Sequence, residues 1–157
     1  MQNIDVIILA AGKGTRMYSS IPKVLHEVGS KSLLNHVITT AQKIKPKQIH
    51  LVVSEEISKT YTNSDKNINF VIQKNRKGTA DAISQCIPYL KQSNNKVLIL
   101  YGDVPFVDII TIKKLVSVKK DEIKLLCFNK EEKNSYGKVI LGTDGMVSEV
   151  IEQKELK

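Results

Sequence analysis

The residues best suited to chemistry follow the first apolar run of the chain. Residues 9–17 read LAAGKGTRM, and Pro22-Lys23 follow a short distance later. Gly12 and Gly14, one residue apart, let the backbone turn sharply and direct several N–H groups at one point, an arrangement that favours phosphate oxygens. Positive charge beside that point comes from three side chains: Lys13, Arg16 and Lys23. The segment therefore predicts an anion-binding loop, and the alternative is a glycine turn with solvated lysines.

This loop differs from the two commonest glycine-rich phosphate loops. Met17 occupies the position of the third glycine in the dinucleotide-binding fingerprint. The P-loop of many nucleotide-hydrolysing proteins ends in a glycine-lysine-serine/threonine triplet, and this loop has no such triplet. The sequence thus favours a phosphate site of another type.

A second segment, residues 98–105, reads LILYGDVP and places Asp103 at the end of an apolar run. Carboxylate oxygens suit Mg²⁺, which leaves its remaining coordination positions to water and phosphate. Asp103 is therefore a candidate magnesium ligand. The alternative is that it caps or turns the chain before Pro105.

A third segment, residues 73–79, reads QKNRKGT. The amide of Gln73 can both donate to and accept from the edge of a pyrimidine base. Gly78 permits close approach of a ligand, and Thr79 begins a helical pattern. Taken alone, these residues indicate no more than a polar loop.

Strands and helices alternate around these segments. Apolar runs predict strands at residues 4–9, 48–53, 68–73, 97–101 and 123–128. Helices are predicted from residue 33 to Pro46 with Ser32 as cap, after Gly78 with Thr79 as cap, and over residues 109–118. A β-hairpin is predicted over residues 138–151, with its turn at 142–145.

This alternation predicts α/β crossover units and a mostly parallel sheet covered on both faces, within one domain. Ligands of such open sheets bind at the carboxyl ends of the strands. The glycine-rich loop and the segment around Asp103 both follow predicted strands. We therefore expect them to meet at one edge of the sheet.

The composition argues against several classes of partner. The net charge of +8 is compatible with nucleic acid, but of 24 basic residues only Arg16 and Arg76 are arginines, and the chain has no Trp. No run approaches the roughly 18 apolar residues of a membrane helix, and no basic cluster precedes the first apolar run as in a signal peptide. We expect neither a nucleic-acid nor a membrane partner, and a cytoplasmic location.

Cys86 and Cys127 have no disulfide or zinc spacing, and both are predicted to be core thiols.

Taken together, these segments resemble one family. Residues 9–37, LAAGKGTRMYSSIPKVLHEVGSKSLLNHV, are similar to the start of the N-acetylglucosamine-1-phosphate uridyltransferase domain, the amino-terminal part of a bacterial bifunctional enzyme whose other half is an acetyltransferase. Further similarities follow in family order at Gln73, Gly78-Thr79, residues 101–105, Tyr136-Gly137 and residues 150–152. The resemblance covers essentially the whole chain. It implies a Rossmann-like, three-layer nucleotidyltransferase fold.

The resemblance also implies an activity and a set of site residues. The implied reaction is Mg²⁺-dependent transfer of a uridylyl group from UTP to N-acetylglucosamine 1-phosphate, giving UDP-N-acetylglucosamine and pyrophosphate. Arg16 and Lys23 would act on the reacting phosphates, and Asp103 would bind the metal. The implied nucleotide-binding residues are Leu9, Ala10, Ala11, Gly12, Gly14, Gln73, Gly78 and Thr79. The implied contacts to the sugar phosphate are Tyr101, Gly102, Gly137 and Glu152.

The chain departs from the family pattern at three places. Arg76 stands where the family has a second uracil-reading glutamine, and Ala80-Asp81-Ala82 replaces Gly-His-Ala. The chain also stops soon after Glu152, before two further family asparagines and the acetyltransferase half. From this shortening we expect slow turnover by the chain alone, and self-association through uncovered apolar surface. Two alternatives stay open: a nucleotidyltransferase for another nucleotide or sugar phosphate, and a shortened protein that binds nucleotide with little turnover.

Overall fold

Strands and helices alternate along the chain, as predicted. The computed structural model describes residues 3–14, 17–62, 64–75, 77–90, 95–129 and 136–151. The strands are β1 (Ile4–Leu9), β2 (Glu27–Val28), β3 (Lys31–Ser32), β4 (Gln48–Val53), β5 (Ile68–Ile72), β6 (Lys96–Tyr101), β7 (Lys138–Leu141) and β8 (Val147–Ile151). The helices are α1 (Leu33–Gln42), α2 (Glu55–Thr60), α3 (Thr79–Ser84), α4 (Ile87–Leu90) and α5 (Ile109–Val116). Internal contacts divide the chain into two units, Met1–Glu122 and Ile123–Lys157.

The first unit is organised around β1, whose mostly apolar and buried residues suit a strand covered on both faces. β1 pairs in parallel with β4 on one side and with β6 on the other, and β5 pairs in parallel with β4. The resulting strand order is β5-β4-β1-β6. The chain therefore moves outward from β1 to β5 and then returns to the opposite side of β1. Such a reversal of strand order leaves a crevice at the carboxyl ends of the strands, where ligands of open parallel sheets bind.

Helices cover both faces of this sheet, because alternate side chains of a strand point to opposite faces. Val6 and Ile8 belong to a core that also contains apolar side chains of α1 and α5. Ile7 packs on the other face, against Ala82 of α3 and Cys86, the residue between α3 and α4. Burial raises the pKa of the Cys86 thiol to about 11, which fits the predicted core cysteine. The three-layer α/β arrangement is thus confirmed.

The helix ends agree only in part with the sequence prediction. The Ser32 hydroxyl accepts a hydrogen bond from the Asn35 amide at 3.1 Å, so the predicted cap of α1 is confirmed. The predicted stop at Pro46 is wrong, since α1 ends at Gln42 and Lys45, with a φ of +50°, turns the chain before the proline. The predicted Thr79 cap is wrong by one residue. Thr79 is the first residue of α3, and its N-cap is Gly78, whose φ of +112° suits glycine.

The predicted strand at residues 123–128 is wrong. Residues 122–129 have no regular secondary structure, and Ile123, Leu125 and Phe128 are exposed. Apolar composition favours a strand only where a neighbouring strand supplies hydrogen bonds, and no described residue pairs with this segment. The expectation that Cys127 lies in a core is wrong for the same reason, because its side chain is exposed.

The predicted hairpin in the second unit is confirmed. β7 and β8 pair antiparallel, and the Gly142 amide donates to the Met146 carbonyl oxygen at 2.8 Å across the turn. Gly145, with a φ of +75°, supplies the left-handed backbone that the turn needs. In the described parts of both units, no helix has the length and apolar character to cross a membrane.

Candidate functional site

A cavity of about 1440 Å³ opens at the carboxyl edge of the parallel sheet, where the strand order reverses. Several predicted site residues line it: Leu9, Ala11, Gly12, Gly14, Lys23, Gln73, Gly78, Thr79, Tyr101 and Asp103. The topology thereby brings together the loop after β1, the loop after β5 and the residues that follow β6. These three segments are far apart in the sequence, and each contains one of the predicted chemical motifs.

The other predicted site residues are not among the described residues that line this cavity. Ala10 and Gly102 are buried, and the Gly102 amide donates to the Leu9 carbonyl oxygen at 2.9 Å. A Cβ on Gly102 would lie 3.1 Å from that oxygen and 3.2 Å from the Ala10 Cβ, so glycine here permits the ends of β1 and β6 to approach closely. Gly137 belongs to the second unit. Three residues of the sequence argument lie outside the described ranges: Arg16, Arg76 and Glu152.

Lys23 and Asp103 form an ion pair within this cavity, with 2.7 Å between Nζ and Oδ2. Lys23 opens a short 3-10 helix, Lys23–Leu25, and the next residue, Val24, is buried in the main core. Asp103 follows the close approach at Gly102. Both side chains are partly exposed, at 41% and 29%. A cation suited to phosphate and a carboxylate suited to a divalent metal therefore face each other on loops after β1 and β6.

Gly14 fixes the packing of the glycine-rich loop against Lys23. Its φ is +60°, in the left-handed region that most side chains avoid. A Cβ added to Gly14 would lie 2.6 Å from the Lys23 Cβ, whereas a Cβ added to Gly12 would meet nothing within 4 Å. The position of Lys23 thus depends on the absence of a side chain at residue 14.

We expect Gly14→Ala to lower the free energy of unfolding by about 1–2 kcal/mol, from the left-handed backbone alone, with the contact to Lys23 adding to it. Gly12→Ala is the matched control, because its added methyl group enters open space. Urea denaturation of both variants measures the difference. Equal stability of the two would contradict the close packing at Gly14.

Gln73 is a nearly buried polar side chain in the cavity wall, with 5% of its surface exposed. Its backbone amide donates to the Val53 carbonyl oxygen at 2.9 Å, which fixes the residue directly after β5. Its side-chain Nε2 donates to the Gly78 carbonyl oxygen at 3.2 Å and to Asp81 Oδ2 at 2.6 Å. Asp81, noted in the sequence only as a departure from the family, is therefore part of the wall structure.

One helix of the cavity wall, α2, was not predicted from the sequence. This helix begins after Ser54, whose hydroxyl accepts from the Ile57 amide at 3.3 Å, and acidic residues in its first turn favour the helix start. Ser54 followed by two glutamates was the available signal. The residues it brings to the cavity are Ser54, Glu55, Glu56, Lys59 and Thr60.

Asp103 is the candidate metal ligand in this cavity. Among the residues that the structure describes, no group of three or more His, Cys, Asp or Glu side chains could hold a metal. Mg²⁺ commonly takes one or two protein carboxylates and completes its coordination with phosphate and water. A single carboxylate beside a glycine-rich loop would suit an ion held jointly by protein and nucleotide.

Comparison with known proteins agrees with this architecture. The family model for the MobA-like NTP transferase domain matches residues 6–148. The chain is 46% identical over 156 residues to the bifunctional protein GlmU of Buchnera aphidicola subsp. Acyrthosiphon pisum (strain Tuc7), and 37% identical over 155 residues to that of Pseudomonas fluorescens. Each match covers 98% of this chain and 34% of the relative. The chain thus spans about a third of the length of these relatives, and the resemblance seen in the sequence is confirmed.

Solved structures share the fold at low sequence identity. A protein from Bacillus anthracis assigned as a glucose-1-phosphate thymidylyltransferase superposes with a TM-score of 0.71 at 18% identity, covering 96% of this chain and 64% of that one. A 4-diphosphocytidyl-2C-methyl-D-erythritol synthase from Anaerococcus prevotii gives a TM-score of 0.61 at 20% identity, with 98% and 66% covered. Since the family match begins inside β1 and reaches β8, the chain belongs to the MobA-like NTP transferase domain family.

Proposed function

We propose that this chain transfers the uridylyl group of UTP to N-acetylglucosamine 1-phosphate, with Mg²⁺, giving UDP-N-acetylglucosamine and pyrophosphate. The observation that carries the proposal is the meeting of Lys23 and Asp103 in one cavity at the carboxyl edge of the sheet. Similarity to the GlmU proteins over nearly the whole chain supports the choice of this reaction among nucleotidyl transfers.

In this proposal the nucleotide lies across the cavity. Its phosphates contact the loop at residues 11–14 and Lys23, and its base lies beside Gln73, Gly78 and Thr79. The sugar phosphate approaches from the side of Tyr101 and the backbone of Gly102, at the end of β6. The support is that the glycine-rich loop and Gln73 line one continuous cavity.

The proposed chemistry requires no general base. The attacking group is a phosphate oxygen of the sugar phosphate, which is already anionic at neutral pH, and pyrophosphate is the leaving group. None of the described residues that line the cavity is His or Cys. The protein's task is to align two anions and to neutralise the charge that grows on the reacting phosphate. Lys23, with Arg16 as a second predicted cation, supplies that charge.

Asp103 is the proposed holder of Mg²⁺. When bound, this ion neutralises phosphate charge and orients the phosphates. The carboxylate pairs with Lys23 in the structure, so an ion held by Asp103 would lie beside the ammonium group. Transfer of a charged phosphoryl group requires cations and metal ions close together around the reacting phosphates.

Calorimetric titration with UTP, ATP and GTP in the presence of Mg²⁺ tests the nucleotide. We expect UTP to bind at least about tenfold more tightly than either purine nucleotide, since a site built to pair with polar groups on one ligand rejects ligands that leave those groups unpaired. Equal affinity for UTP and a purine nucleotide would refute the uridine assignment. Pyrophosphate release, with N-acetylglucosamine 1-phosphate and glucose 1-phosphate compared as acceptors, separates transfer from nucleotide binding without turnover.

A further inference from the structure

We propose that Asp81 locks the side-chain amide of Gln73 in one orientation, and that this makes the base site accept uracil and reject cytosine. The inference deepens the proposed function and rests on it. It assigns Asp81 as a positioning residue, which acts on the base through Gln73.

The side-chain amide nitrogen of Gln73 has two hydrogen-bond partners. The Gly78 carbonyl oxygen and the Asp81 carboxylate can only accept hydrogen bonds. The amide must therefore direct its NH₂ group at them, because the flipped amide would place Oε1 against two acceptor oxygens. The contact to Asp81, at 2.6 Å, involves a charged acceptor and is the stronger of the two.

Asp81 is held in place by the start of helix α3. Asp81 lies in the first turn of α3, and the following residue, Ala82, is buried against the sheet. The Ala82 amide donates to the same Gly78 carbonyl oxygen, at 3.1 Å. Both acceptors of the Gln73 amide are thus fixed by the start of one helix, and Gln73 itself is fixed by its backbone bond to Val53.

The side-chain amide of Gln73 also has an oxygen, Oε1, that can accept a hydrogen bond. With both N–H bonds used, Gln73 presents only Oε1 to a ligand, and the hydrogen bonds that its side chain makes to described residues all involve Nε2. Every buried side-chain polar atom among the described residues has a hydrogen-bond partner. Oε1 is therefore not completely buried, and Gln73 lines the cavity. The cavity wall offers a fixed acceptor at this point.

A fixed acceptor distinguishes the two pyrimidines. Uracil has a donor at N3, whereas cytosine has an acceptor lone pair at the same position. Oε1 of a locked Gln73 accepts from the N3–H of uracil and repels the N3 of cytosine. A freely rotating amide would turn its NH₂ group toward cytosine and bind both bases. Asp81 removes that freedom.

Calorimetry with UTP, CTP and tripolyphosphate, on the whole chain and in the presence of Mg²⁺, tests the role of Asp81. We expect the wild-type chain to prefer UTP to CTP by about tenfold or more. In Asp81→Asn and Asp81→Ala, we expect the ratio of the two dissociation constants to fall about tenfold, toward one, while affinity for tripolyphosphate is unchanged. Asp81→Glu keeps a carboxylate and is expected to retain part of the preference. Ser84→Ala is the matched control, because the exposed Ser84 hydroxyl donates to the Asp81 backbone carbonyl oxygen at 2.7 Å and not to its carboxylate.

The outcomes separate this inference from the proposed function. If wild-type chain prefers UTP and the Asp81 variants keep the full preference with tripolyphosphate binding intact, the role of Asp81 is refuted while the proposed function stands. If wild-type chain shows no preference for UTP over purine nucleotides, the proposed function fails, and this inference with it.

An NMR measurement on the wild-type chain needs no variant. Slow solvent exchange of both Gln73 side-chain NH₂ protons supports the lock, and fast exchange overturns it.

Discussion

Replacement of Lys23 by alanine is expected to lower the turnover number of uridylyl transfer by about 100- to 1000-fold. The dissociation constant for UTP is expected to rise by less than about tenfold. In the proposed reaction Lys23 contacts a phosphate whose negative charge grows in the transition state, so its contribution would be larger there than in the bound ground state. Single-turnover rates and calorimetry on the same variant measure the two quantities separately.

Lys13→Ala is the matched control for this prediction. Lys13, a lysine of the glycine-rich loop, also lines the cavity, but the ion pair with Asp103 belongs to Lys23. Its removal is expected to weaken binding of the triphosphate modestly and to leave the turnover number within about tenfold. A Lys23→Ala variant that loses affinity for UTP but keeps its turnover number would place Lys23 in ground-state binding and contradict the prediction.

Replacement of Asp103 by asparagine is expected to lower turnover by at least about a hundredfold, since a bound metal contributes several kcal/mol to transition-state stabilisation. The Mg²⁺ concentration needed for half-maximal UTP binding is expected to rise, because a neutral amide holds a divalent cation more weakly than a carboxylate does. The stability of the fold is expected to change by about 1 kcal/mol or less, since the Lys23–Asp103 ion pair is partly exposed and such pairs contribute little.

Glu56→Gln provides the comparison for Asp103→Asn. Glu56 is another carboxylate of the same cavity, on α2, and its neutralisation removes the same charge at a different place. A magnesium dependence shared by both variants would indicate a general charge effect. A magnesium dependence unchanged in Asp103→Asn would favour the simpler alternative, in which Asp103 only turns the chain before Pro105.

Most of the parallel sheet could be predicted because its strands carry their own signal. β1 and β4 are mostly apolar and buried on both faces, and such segments are recognisable without knowledge of their neighbours. Residues 123–128 carry the same signal and form no strand. Whether an apolar run becomes a strand depends on a hydrogen-bonding partner, and that partner is not encoded in the run itself.

The candidate site could be predicted at its glycine-rich loop, Lys23 and Asp103, whose types and spacing are specific. The contribution of α2 could not be predicted with the same ease, since a six-residue helix has too few apolar positions to show a period. The role of Asp81 could not be predicted at all. Its bond to Gln73 depends on how the first turn of α3 is placed against the end of β5, which is a tertiary property.

The pairing of β6 with β1 has a consequence for how the protein unfolds. Lys23 follows β1 and Asp103 follows β6, so the two halves of the phosphate site are joined only while these strands remain paired. A partly open state that keeps β1, β4 and β5 but releases β6 would bind nucleotide poorly. A ligand present at about a hundred times its dissociation constant would then disfavour that state by about 2.7 kcal/mol. Nucleotide bound in the proposed site would therefore stabilise the pairing of β6 with β1, and the resistance of β6 to local opening would increase with the concentration of ligand.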